Sequence, residues 1–135
     1  MTVHHERLTI HTEARRATVD ITARVRAAVT RSKIREGICV VASTHTTAGI
    51  FVNENADPAV QRDLLSHLAK LVPKDDEFAH AEGNADAHIN AVLTGNDVTL
   101  PVRDGELALG TWQGVYLADF DGPRERHAVV TVLGE

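Results

Sequence analysis

Three observations predict an α+β domain built on a mostly antiparallel or mixed, sandwich-like β-sheet with about three helices. Short apolar or alternating runs, seven or so in number, lie at the start, in the middle and throughout the last third of the chain. Windows with helical spacing interrupt them in the middle. Gly, Pro and Asp-Gly punctuation separates nearly every pair, with no linker, repeat or low-complexity segment. A chain of 135 residues then makes one domain, residues 1–135, large enough to fold around its own core.

Taken in order, Val3 to His11 alternates as a first strand with one polar face would. Val19 to Val29 loses that alternation and fills with Ala and Arg, which predicts a helix of about three turns capped by Thr18 or Asp20. After Gly37, the apolar run Ile38 to Ala42 reads as a buried strand. Gly49 to Asn53 is the next strand. Asp57-Pro58 starts a helix, with Asp at the cap and Pro at the first helical position, and Val60, Leu64, Leu65, Leu68 and Leu71 form its apolar stripe.

Pro73 and Lys74-Asp75-Asp76-Glu77 close that helix as a solvated loop. Asn84 caps a short third helix that ends at Gly95, with Ala85, Ile89, Val92 and Leu93 expected on its buried side. The remainder reads as β. Val98 to Val102 leads through an Asp104-Gly105 turn to Glu106–Leu109, Gln113 to Phe120 alternates, and Ala128 to Leu133 is a core strand after Asp121-Gly122-Pro123.

Composition narrows the function classes. A formal charge of −5 with 4% aromatic residues argues against nucleic acid, which asks for clustered Lys and Arg or stacking platforms. No run approaches the roughly 20 apolar residues of a membrane span. Met1 to Glu6 lacks the basic start and apolar run of a signal peptide, so the expectation is a cytoplasmic protein. Cys39 is the single cysteine and sits in an apolar run, which predicts a buried, inert thiol.

Eight histidines are the compositional oddity. His45 lies at a strand end inside Ser43-Thr44-His45-Thr46-Thr47, His80 in a loop, and His88 on the third helix. Three imidazoles with an open fourth position are the usual ligands of a catalytic zinc, and nitrogen ligands also suit nickel, copper or iron. Spacing alone leaves a plainer reading open, with two partly exposed histidines and one satisfied by threonine hydroxyls. His4, His5, His11, His67 and His127 carry only that plainer reading. Gly110-Thr111-Trp112-Gln113-Gly114 reads equally as a pocket wall or as a hydrophobic corner. Arg124 and Arg126 beside a turn suit a phosphate or carboxylate, or surface pairing with Glu125.

Taken together, His45-Thr46-Thr47-Ala48, Asn53-Glu54-Asn55-Ala56-Asp57-Pro58, Asp63, Val72-Pro73, His80, His88, Leu100-Pro101-Val102, Gly110-Thr111-Trp112-Gln113-Gly114 and Arg126 resemble the YjbQ-like family, from about Leu8 to the C-terminus. The resemblance implies a homotrimer of small α+β domains with a histidine metal site near subunit boundaries, its ligands falling on His45, His80 and His88. It also implies secondary thiamine-phosphate synthase activity, the joining of a pyrimidine pyrophosphate to a thiazole phosphate. Glu54, Asp63 and Gln113 are then the candidate catalytic residues, and Thr46, Thr47, Asn53, Trp112 and Arg126 the candidate substrate contacts. Pyrophosphate departure usually draws on Mg²⁺ with oxygen ligands, whereas three histidines suit zinc and a bound hydroxide. A zinc-dependent hydrolase and a non-catalytic trimeric metal-binding module are therefore the alternatives.

Overall fold

The computed structural model describes residues 1–75 and 77–135. Asp76, in the expected solvated loop, lies outside the described residues. Two antiparallel sheets carry the fold. The larger has the order β1 (Thr2–His11), β8 (Glu125–Gly134), β3 (Gly37–Ser43), β5 (Asp97–Arg103), β6 (Glu106–Leu107). The smaller is β2 (Ala17–Asp20), β7 (Gln113–Asp119), β4 (Ala48–Glu54). With α1 (Thr22–Ser32), α2 (Pro58–Leu71) and α3 (Ala85–Thr94), this is the α+β class that the sequence predicts.

Period-two alternation places the cores. Cys39 and Val41 of β3, Val130 and Val132 of β8, and Ile50, Val115 and Leu117 of the small sheet face one another, and Val25 and Val29 of α1 close that core. Residues of opposite parity on the small sheet, Phe51 and Ala118, face the other way. There they meet Ala87 and Ala91 of α3 and Leu65 and Leu68 of α2, with Phe120 beside them. The small sheet is thus covered on both faces. Its second face carries α2 and α3, and α3 carries His88.

Two expectations need correction. The helix expected from Val19 starts at Thr22, because Ala17–Asp20 pairs with β7, Val19 opposite Leu117. The cap position falls on Ile21, with no side-chain cap, rather than on Thr18 or Asp20; Asp20 ends the strand and its Oδ1 accepts the Thr22 N–H at 2.9 Å. The buried side of α3 is also different. It consists of Ala85, Asp86, Ala87, Asn90 and Ala91, while Ile89, Val92 and Leu93 face outward. The reason is an ion pair: Asp86 is fully buried and receives Arg15 Nη1 and Nη2 at 3.1 Å each and Arg16 Nη2 at 2.8 Å. That pairing turns the helix so that its polar residues go in.

The other boundaries agree closely. Asp57 caps α2 by accepting the Ala59 N–H at 2.9 Å, with Pro58 next. Asn84 stands at the α3 cap position but spends its side chain on Asp121 Oδ2, at 3.0 Å. Asp104 and Gly105, with φ of 52° and 78°, make the two-residue turn between β5 and β6. The return strand stops at Leu107 rather than Leu109. No helix among the described residues is long and apolar enough to cross a membrane.

Candidate functional site

The segment between β3 and β4 builds one wall of the site. Ser43 folds it locally, its hydroxyl donating to the Ala48 carbonyl at 2.8 Å while accepting the His45 N–H at 3.1 Å. The β3–β8 ladder ends at Ser43 opposite Ala128, so the next main-chain N–H of β8, that of His127, has no β3 carbonyl to meet. The His45 imidazole takes that place. Its Nε2 accepts the His127 N–H at 2.8 Å, and the two rings stack with centroids 5.9 Å apart. Of the plainer readings for His45, the satisfied histidine is the one realised, with a main-chain amide as partner.

Directly beside it lies a buried ionic network. Arg126 is 4% exposed, and its Nε and Nη2 donate to Asp119 Oδ2 and Oδ1 at 3.1 and 2.7 Å. Nη2 also donates to Thr47 Oγ1 at 2.8 Å, and the Thr12 hydroxyl donates to Asp119 at 2.6 Å. The Arg126 hydrogen bonds among the described residues all run through Nε and Nη2, and the guanidinium lines an open cleft of about 360 Å³. His45, Thr44, Thr46, His88 and Arg124 share that cleft, and Glu82 and Asp121 also line it. Arg124 itself is held by the Asp121 carbonyl at 2.7 Å and its carboxylate at 3.1 Å.

The electrostatics follow from these contacts. Burial, the Arg126 charge and His127 together lower the His45 pKa below its ordinary value, so its ring is neutral at pH 7. Burial alone would raise the Asp119 carboxyl, yet the hydrogen bonds from Arg126 and Thr12 hold it below the usual carboxylate range.

His88 reaches the cleft because α3 is pinned at both ends, by Asp86 with its two arginines and by the Ile50 N–H donating to the Gly95 carbonyl at 3.0 Å. His80 sets its ring edge against that of His88, centroids 5.2 Å apart. His45, Thr46 and His88 also line an adjoining cleft of about 510 Å³ with Ala91 and Val92 on its wall. One side of the site is therefore charged and the other apolar.

A three-histidine metal centre is testable on this geometry. A neutral imidazole has one lone pair, and at His45 it sits on Nε2, where the His127 N–H already occupies it. Nδ1 must then carry the proton and is a donor. His80 and His88 stand together, but His45 as held does not fit a ligand role, and among the described residues no group of three His, Cys, Asp or Glu is gathered for a metal.

The other predicted site residues stand elsewhere. Glu54 pairs with Gln113 at the far end of the β4–β7 ladder, six residues from Ala48, which is roughly 20 Å of strand. Gln113 Oε1 accepts the Gly110 N–H at 2.8 Å, and Trp112 beside it is 64% exposed. Asn53 lines an apolar cleft with Leu64, Leu68 and Leu93, and Asp63 is exposed on α2. Within one chain the site thus has two poles. Thr46, Thr47, Arg126, His45, His80 and His88 share the first. Sequence reasoning missed Asp119 and the His127 amide there; Arg126 meets Asp119 where the turn between β7 and β8 carries the chain from one sheet to the other, a contact that residue spacing does not reveal.

The fold and the first pole define a small α+β protein with a histidine–threonine–arginine cleft at the edge of a two-sheet core. Residues 6–135 match the family described as UPF0047 protein YjbQ-like. The chain belongs to that family. It is 48% identical to the UPF0047 protein MJ1081 of Methanocaldococcus jannaschii over 93% of this chain and 91% of that one. YugU of Bacillus subtilis is 41% identical over 94% and 97%. A solved YbjQ-like protein of Sulfolobus solfataricus, described as of unknown function, superposes with a TM-score of 0.96 at 36% identity over 99% of both chains. An uncharacterized conserved protein of Clostridium acetobutylicum superposes with a TM-score of 0.93 at 44% identity, over 95% and 99%.

Proposed function

We propose that this chain is a cytoplasmic enzyme that binds a small phosphorylated or otherwise anionic heterocycle in the cleft between His45, Arg126 and His88. The observation that carries the reading is Arg126, a guanidinium at 4% exposure that is held rigid through Nε and Nη2 by Asp119 and Thr47 while it lines an open cleft. A pre-oriented guanidinium loses little entropy on meeting a phosphate oxygen, and such charge-assisted bonds are the strong ones. The adjoining apolar wall of Ala91 and Val92 suits a ring. Thiamine-phosphate synthesis, implied by the resemblance, joins two substrates of this kind.

Isothermal titration with pyrophosphate and with the two thiamine precursors tests the reading, alongside turnover assays on those precursors and on phosphoesters with and without chelator. Binding in the wild type that is lost in Arg126→Met supports it. A wild type that binds none of these anions overturns it.

Metal-dependent hydrolysis is the second reading, favoured by the His80–His88 ring contact at 5.2 Å beside the cleft. Zinc, or another divalent ion suited to nitrogen, would draw first on that pair. Elemental mass spectrometry on wild type and His88→Ala decides it, with metal present in the first and lost in the second expected.

The same proposal includes a homotrimer with its sites near subunit boundaries and no nucleic-acid partner. Support comes from exposed apolar side chains on α3 and at the second pole, Val92 at 81% and Trp112 at 64%. Bringing the two poles together across a boundary would unite residues that one chain keeps apart. Sedimentation velocity tests this, and a monomer at micromolar concentration sinks it.

A further inference from the structure

We infer that His45 acts as a fixed Nδ1–H donor to the bound anion, its tautomer set by the main-chain N–H of His127, rather than as a metal ligand. The inference rests on the anion-binding reading above and assigns a role within it.

The argument is one of proton inventory. A main-chain N–H only donates, so the 2.8 Å contact from His127 to Nε2 requires a lone pair on Nε2. An imidazolium, or the Nε2–H tautomer, would set two donors against each other there. The remaining form places the proton on Nδ1. Two features keep the ring in place. Stacking on His127 fixes its plane, and the Ser43 hydroxyl fixes its main chain by accepting the His45 N–H. The main-chain amide at the end of the β3–β8 ladder would otherwise lose its partner, which gives the fold its own reason to hold this orientation.

Around the cleft the donors then form a set. The Arg126 Nη1 group, the Arg124 guanidinium, the Thr44 and Thr46 hydroxyls and the His45 Nδ1–H all belong to residues lining the 360 Å³ cleft. Acceptors dominate a cation site and donors dominate an oxyanion site, and this wall is donor-rich. The Asp121 and Glu82 carboxylates also line the cleft, but their contacts are with Arg124, Asn84 and His80 rather than with His45, Thr44, Thr46 or Arg126. The ligand chemistry that fits is a phosphate or pyrophosphate group, with the neutral imidazole adding a directed bond without adding charge.

The test separates tautomer, anion and metal. Long-range ¹H–¹⁵N correlation on the ¹⁵N-histidine-labelled full chain should show His45 with a protonated Nδ1 and an unprotonated Nε2, unchanged by one equivalent of zinc. Titration with inorganic phosphate and pyrophosphate should show affinity roughly ten- to a hundredfold weaker in His45→Ala. His45→Asn, whose amide NH₂ stands where Nδ1–H was, should recover most of that loss, and both variants should take up zinc as the wild type does. An Nε2–H tautomer, or zinc shifting the His45 nitrogens, overturns the inference. So does phosphate affinity unchanged in His45→Ala, which leaves the anion-binding reading standing. A wild type that binds neither anion removes both. Far-UV circular dichroism on each variant verifies the fold, and an unfolded His45→Ala leaves the tautomer spectrum as the deciding result.

Discussion

Arg126 and Asp119 meet as a buried two-point ion pair, Nε to Oδ2 at 3.1 Å and Nη2 to Oδ1 at 2.7 Å. Each partner is the other's replacement for water, and Thr12 and Thr47 satisfy further positions on the pair. Breaking such a pair from one side leaves an uncompensated buried charge, which typically costs about 3–5 kcal/mol. Asp119→Asn is therefore expected to lose about that much in urea denaturation and to weaken phosphate binding, because the Arg126 fork loses its anchor. An Asn variant within about 1 kcal/mol of wild type would mean the pair is not what holds this corner.

A pH dependence follows from the same carboxylate. Asp119 is depressed in the folded protein by Arg126 and Thr12 against the effect of burial, and Asp86 is depressed likewise by Arg15 and Arg16. Glu6, hydrogen-bonded to Arg31 and His4, is lowered to about 2. A depressed carboxyl contributes stability that is full above its unfolded pKa, near 4, and lost as pH falls through the folded value. The melting temperature should hold above about pH 5 and fall steadily below about pH 4. Asp119→Asn should show a shallower fall than wild type, and an identical acid limb would remove Asp119 from the explanation.

Gly49 links the fold to the site. A Cβ there would stand 2.5 Å from the Gly95 carbonyl oxygen and 3.0 Å from Thr94 Cγ2, at the end of α3. The neighbouring Ile50 N–H donates to that same carbonyl, so the close approach is what docks the helix. Gly49→Ala is expected to cost about 1–3 kcal/mol and to displace the α3 end that sets His88 beside the cleft. Denaturation and phosphate titration should both register it. A variant as stable as wild type, with unchanged affinity, would show that α3 is not held through this contact.

How much of this was legible in the sequence depends on range. Strand alternation, the Asp57-Pro58 cap and the Asp104-Gly105 turn are local signals, and those elements fall where expected within a few residues. The buried side of α3 was not legible, because what turns it inward is Asp86 meeting Arg15 and Arg16, 71 and 70 residues away. A helix whose polar residues are neutralised from outside inverts the usual rule that the apolar stripe goes in. The site divides the same way. His45, Thr47 and Arg126 stand out by residue type, but the His127 amide that fixes the His45 ring arises only from where the β3–β8 register stops.

Cys39 is buried in β3, and burial pushes its thiol up to about 11. The thiolate is the reactive form, so alkylation by iodoacetamide at pH 8 should be negligible in the native protein and complete in denaturant. Rapid labelling of the native chain would show that β3 opens far more often than a core strand does.

Asn90 poses the sharpest question about α3. Its side chain is fully buried, and neither Nδ2 nor Oδ1 has a partner among the described residues. Drying an unpaired amide costs about 1–3 kcal/mol, so a residue of similar volume without polar atoms should do better. Asn90→Leu is expected to raise stability by about that amount, a shift of several degrees in melting temperature for a domain of this size. Asn90→Asp, which buries a charge instead, should be destabilised. Both variants leave Asp86 and its arginines in place, so α3 keeps its anchor and any change reads on the amide itself. A less stable Asn90→Leu would mean that the amide is satisfied in solution, for which a buried water is the fitting partner at a side chain closed off from the surface.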